Sequence, residues 1–124
     1  MSTDFPDPSP DEARPQHGES DYLPDVYVSF RQRYPEAADA LDVLGHALDA
    51  SGTLDPLTRR LVKLGIAVGA LSNGAVRSNA RKALDEGATP DTIRQVAVLA
   101  TSTTGFPTCI AALGWIDDVL NAEV

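Results

Sequence analysis

Three observations predict an all-α fold of about six short helices in one domain. Apolar residues recur with the 3.6-residue helical period and nowhere alternate as a half-buried strand would. Proline stands repeatedly where a first helical residue is expected, and glycine just past the expected ends. The 124 residues fit a single domain, which commonly runs to about 100–150.

Taken in order, Pro24 opens a short helix through Val26, Phe30 and Arg33, and Pro35 opens a second from Glu36 to about Ala50, ended by Gly52. Asp55 is an N-cap whose carboxylate can accept from exposed backbone N–H groups, with Pro56 behind it. The third helix then runs to about Leu71. Asn73 and Gly74 are expected to break the chain before a fourth helix from Ala75 to Glu86, stopped by Gly87. Thr89 and Pro90 repeat the cap-plus-proline device for a fifth helix reaching about Thr103. Phe106 and Pro107 start a sixth that continues to about Asn121.

Charge is unevenly distributed. Seven carboxylates against Arg14 alone, within residues 1–25, account for six of the eight excess negative charges. Residues 1–22 also hold Pro6, Pro8, Pro10 and Pro15 and no Leu, Ile or Val. They are expected to form a mobile tail ahead of a helical domain at 23–124, because such a segment cannot bury enough apolar surface to offset its ordering entropy. A second role for this arm, covering a neighbouring subunit or gating a pocket, stays open. No basic stripe or aromatic nucleic-acid motif is present, so nucleic acid is not an expected partner. The longest apolar stretches fall short of the ~20 residues that span a bilayer. With no basic start followed by an apolar run, the chain is read as cytoplasmic and without a membrane partner.

The segments Leu64–Leu71 and Val96–Ala100 carry almost no polar face, and a helix apolar all round requires burial on every side. Six short helices can scarcely surround two such segments. Subunits are therefore expected to complete the burial in a homo-oligomer, with Gly65, Gly69 and Ala70 allowing close approach; a central hairpin covered within a monomer is the alternative. Cys109 is the one cysteine, which excludes an intramolecular disulfide and a cysteine-based zinc cluster; it is read as a small buried hydrophobe. The hydroxyl cluster Thr101–Thr104 is read as the end of a helix, its side chains satisfying backbone carbonyls.

From Leu54 to Leu120 the chain resembles the carboxymuconolactone decarboxylase/alkylhydroperoxidase D-like superfamily. The landmarks are Leu54-Asp55-Pro56-x-Thr58-Arg59, then Arg81 through Pro90 with Ile93, and finally Gly105-Phe106-Pro107. The resemblance implies a trimer or hexamer. In the peroxidase branch a Cys-x-x-Cys pair is followed four residues later by His, with a Glu one helix earlier. Those positions are held here by Ser72, Ala75, Asn79 and Arg60. A serine forms no disulfide and an alanine cannot resolve one, so thiol peroxidase chemistry is not expected. Other members are similar to a Glu-Gly-Ala-Val-His-Ser-His segment, which reads Asn73-Gly74-Ala75-Val76-Arg77-Ser78-Asn79 here.

What remains is rich in hydrogen-bond donors. Arg77, Asn79 and Asn73 are the candidate catalytic residues; Arg60, Ser72 and Ser78 are candidates for substrate binding. A guanidinium fork recognises carboxylates, and such donors can polarise a carbonyl or stabilise an enolate. They make no metal site, so no metal or other cofactor is expected. Asn73 and Arg77, four apart, share a helix face, and Asn79 projects elsewhere. His46 is the one candidate for moving protons, although an i,i+4 hydrogen bond to Asp42 would equally explain it. Two functions follow from the resemblance. One is decarboxylase-, lyase- or isomerase-like chemistry on a small carboxylated or carbonyl-containing metabolite. The other is a non-catalytic binding or scaffold subunit.

Overall fold

The computed structural model of the chain describes residues 25–122, so the acidic N-terminal segment expected to be a tail lies outside the described residues. Six α-helices and one 3-10 turn account for the described structure, and no strand occurs among these residues. The chain groups into two compact units, divided between Leu54 and Asp55.

In the first unit, α1 (Asp25–Arg33) and α2 (Pro35–Asp49) meet at Tyr34, whose non-helical backbone conformation suits the residue before a proline. Arg31 ties the two helices together. Its Nη2 donates to Asp42 Oδ2 at 2.6 Å and its Nη1 to Asp42 Oδ1 at 3.2 Å, while the guanidinium lies 5.7 Å from the Tyr27 ring centroid. The hydrogen bonds from Arg31 hold the Asp42 carboxyl below the usual carboxylate range and push the guanidinium further up. Leu41, Leu44 and Leu48 form an exposed stripe along α2, whose only buried residue is Ala38.

The second unit packs α3 (Pro56–Gly69), α4 (Asn73–Asp85), α5 (Pro90–Leu99) and α6 (Phe106–Ala122) around one core. Asp55 caps α3, accepting from Thr58 N–H at 3.2 Å and from the Thr58 hydroxyl at 2.6 Å. The same two bonds lower its pKa. Thr89 caps α5, its hydroxyl oxygen accepting from Thr92 N–H at 3.1 Å. Leu64, Val68, Val76, Ile93, Ile116 and Val119 are fully buried, with Ala67, Ala80, Ala83, Ala97 and Ala112 filling the narrower spaces between helices. On α6 the buried set Cys109, Ala112, Ile116, Val119 and Leu120 follows the three-then-four spacing of a helix facing a core. The thiol reading therefore holds: Cys109 packs as a small hydrophobe. The hydroxyls of Thr103 and Thr104 both donate to Ala100 O at 3.2 Å, closing the 3-10 turn after α5 as the hydroxyl cluster predicted.

One expectation is corrected. The break before α4 lies at Leu71 and Ser72, whereas Asn73 and Gly74 form the first turn of the helix. The backbone bonds show why. Ser72 N–H reaches Ala67 O and Leu71 N–H reaches Val68 O, a Schellman cap that leaves Leu71 at φ 54°. The cap that ends α4 has the same two bonds, Ala88 to Ala83 and Gly87 to Leu84, with glycine at the left-handed position. Leucine at that position is strained, because its Cβ crowds the backbone.

Within the chain, the glycines of α3 mark no close approach. A Cβ built on Gly65 would lie 3.7 Å from Val96 Cγ1, and one on Gly69 4.0 Å from Thr104 Cγ2. Both are ordinary van der Waals separations, so packing within the chain does not require glycine at either place. Among the described residues the apolar run of α3 is only partly covered: Leu64 is 0% exposed, but Ile66, two residues on, is 67% exposed.

Candidate functional site

The predicted donor residues separate onto two faces of α4. One face carries Asn73, Arg77, Arg81 and Asp85 at intervals of four. Arg77 Nε donates to Asn73 Oδ1 at 2.6 Å, the shared face expected from their spacing, and Arg77 Nη2 donates to Asp118 Oδ2 on α6 at 3.0 Å. Its side chain is 19% exposed. One turn later Arg81 is 3% exposed and faces Asp85 Oδ2 at 3.6 Å. Burial of a guanidinium is costly unless it is paired, so this face works mainly as a polar seam between helices. On α6 the adjacent Asp117 accepts from Arg94 Nε of α5 at 2.9 Å. Two consecutive carboxylates thus tie the last helix to both α4 and α5.

The other face of α4 looks toward α3. Arg60 Nη1 donates to Asn79 Oδ1 at 2.8 Å, so two of the residues singled out by the resemblance meet across α3 and α4. Asn79 is itself held, since its Nδ2 donates to Ala75 O at 2.9 Å, one turn back on the same helix. The remaining edge of Arg60 meets Glu86, with Nε at 3.2 Å from Oε1 and 3.4 Å from Oε2, and Nη2 at 3.3 Å from Oε2. The Arg60 side chain is 16% exposed and that of Glu86 34%. This corner offers a held guanidinium, a held amide and a neighbouring carboxylate. A guanidinium so oriented can hold a carboxylate or draw charge from a carbonyl.

Ser72 occupies the N-cap position of α4 without a side-chain capping bond, and Ser78 is part-buried on the same helix. His46 is exposed on α2. Asp42 directs both carboxylate oxygens to Arg31, and His46 contributes only an electrostatic pull on that carboxylate, so the expected i,i+4 bond is replaced by the tie between α1 and α2. Sequence reasoning missed Glu86 and Asp118. Glu86 stands seven residues after Asn79, two helical turns along the same face, a spacing that could have flagged it. Asp118 belongs to another helix, and no local pattern points to it. Among the described residues, no group of three or more His, Cys, Asp or Glu is placed to hold a metal ion. No helix among them is long and apolar enough to cross a membrane.

No curated protein matches the sequence. The fold is similar to the apo crystal structure of a carboxymuconolactone decarboxylase family protein from Legionella pneumophila, with a TM-score of 0.68 over 78% of this chain and 87% of that chain, at 21% sequence identity. The model of the carboxymuconolactone decarboxylase family matches residues 35–118. With that match extending from α2 to α6, the chain belongs to the carboxymuconolactone decarboxylase family.

Proposed function

We propose that this protein is a divergent, cysteine-pair-free member of the family that acts on a small carboxylated or carbonyl-containing metabolite without a cofactor. The observation that carries this reading is the Arg60–Asn79 pair, a guanidinium held at 2.8 Å by an amide that is itself anchored to α4. Orienting donors in advance is what makes them effective toward a carboxylate or a developing oxyanion. Thiol peroxidase chemistry has no support within these 124 residues: the one thiol is buried in the core on α6, and Ser72 and Ala75 replace the redox pair. Arg77 and Asn73 make a second donor centre, whose carboxylate partner Asp118 favours a structural share for that pair.

The working form in this reading is a homo-oligomer, a trimer or hexamer, in the cytoplasm, with neither nucleic acid nor membrane as partner and with residues 23–124 as the family domain. Exposed Ile66, Leu71, Val98, Leu99, Phe106 and Ile110 support self-association. So does the strained backbone at Leu71, which keeps a large apolar side chain where glycine would be easier.

A second reading, a non-catalytic binding or scaffold subunit, is favoured by the replacement of every proton-carrying group at the family's reactive positions. A thermal-shift screen of small carboxylates and keto acids separates the two. The first reading expects saturable stabilisation by a subset of them, lost in Arg60→Gln, together with turnover of at least one. The second expects an unchanged oligomer and no turnover of any.

A further inference from the structure

We propose that Glu86 is a built-in occupant of the Arg60 carboxylate fork, and that an incoming ligand must be an ionised carboxylate because it has to displace Glu86. This rests on the carboxylate-binding reading of the Arg60–Asn79 corner and adds what regulates it. Arg60 has two unequal ends. The inner Nη1 is short and fixed, at 2.8 Å from an amide that cannot turn without losing its bond to Ala75 O. The outer edge, Nε and Nη2, is the paired-donor side that matches a planar carboxylate, and there the contacts to Glu86 run from 3.2 to 3.4 Å. Charge-assisted N–H···O contacts are ordinarily about 2.7–2.9 Å, so Glu86 fills the fork without closing on it.

Glu86 is also poorly placed in other respects. It is the C-cap residue of α4, where unsatisfied carbonyls already present partial negative charge, and Asp85 precedes it. At 34% side-chain exposure it can turn into solvent, whereas Arg60, at 16%, cannot easily follow. When Glu86 leaves, the guanidinium needs another negative charge. A small free carboxylate provides one and can settle at shorter range. A neutral carbonyl of the same shape cannot compensate the charge, so the device selects acid over amide or ketone.

The test uses the full chain labelled with 15N, following the Arg60 Nε–H resonance while sodium benzoate or benzamide is added at constant ionic strength. Benzoate is expected to shift that resonance saturably and benzamide to leave it unmoved. Glu86→Gln is expected to tighten benzoate by about two- to fivefold, the range over which a partly exposed ion pair competes. Arg60→Gln, followed by the side-chain amide resonance of Asn79, is expected to abolish binding. Circular dichroism checks that each variant is folded. If Glu86→Gln fails to fold, Glu86→Asp, one methylene shorter and unable to reach the fork, is expected to tighten benzoate in the same direction. Benzoate binding at Arg60 that is equal in wild type and the Glu86 variant overturns the displacement, while the carboxylate site stands. Benzamide binding as well as benzoate overturns the selection by charge. No shift at Arg60 in either protein overturns the carboxylate reading, and the displacement with it.

Discussion

Replacing Leu64 by alanine tests the packing of α3 at its centre. Leu64 is 0% exposed, and it lies on the side of the helix that faces the core with Ala67 and Val68. Fully burying a leucine side chain contributes about 1.5–3 kcal/mol, and a cavity left behind adds to the loss on truncation. The expected cost of Leu64→Ala is therefore about 2–5 kcal/mol. At about 4 °C per kcal/mol for a chain of this size, Tm should fall by roughly 8–20 °C. The internal control is Ile66→Ala, two residues further on the same helix and 67% exposed. At protein concentrations low enough to dissociate an oligomer it should cost under about 1 kcal/mol, as surface truncations away from packed features do. At high concentration it should instead weaken association. Urea unfolding at two protein concentrations reads both effects. A cost below about 1 kcal/mol for Leu64→Ala would refute the assigned core face. An equal loss from Ile66→Ala in the dissociated protein would do the same.

Other outcomes follow from single residues. Leu71→Gly should relieve the left-handed strain at φ 54° and stabilise the dissociated chain by about 1 kcal/mol, measured by urea unfolding. The same change should weaken self-association, seen by sedimentation, if the leucine side chain is held against a partner copy. Gly65→Ala should be neutral or stabilising by up to about 1 kcal/mol, because the new Cβ meets Val96 at ordinary distance and alanine favours the helix. A loss of stability would show that α3 sits closer to α5 than described. Asp55 has a folded pKa below its unfolded value near 3.9. Its stabilising share is therefore present above that value and lost as pH falls through the lower folded pKa. The Tm difference between wild type and Asp55→Ala should be constant at neutral pH and shrink below about pH 4; a difference independent of pH would contradict the carboxylate cap.

Much of the framework was legible because proline and capping residues act locally. Pro35, Pro56 and Pro90 each fix the first helical φ, and Asp55 and Thr89 each satisfy an N–H three residues on, so these starts can be read from neighbours alone. The break at Leu71 was missed for the same reason: a left-handed residue is expected to be glycine, and Gly74 was nearby to suggest it. At the site, the Asn73–Arg77 bond follows from i,i+4 spacing, but Arg60 meets Asn79 across two helices, and only the family resemblance placed them together. Glu86 and Asp118 became visible as partners only in three dimensions. The almost uniformly apolar run Leu64–Leu71 could not reveal from composition that Leu64 faces the core and Ile66 faces out.

The most direct test of the account is a crystal structure of the full chain grown with benzoate. It predicts a carboxylate on Nε and Nη2 of Arg60, Asn79 still bound to Nη1, and Glu86 turned away. Arg60 still paired with Glu86 beside an empty corner, or benzoate bound at Arg77 instead, would contradict it.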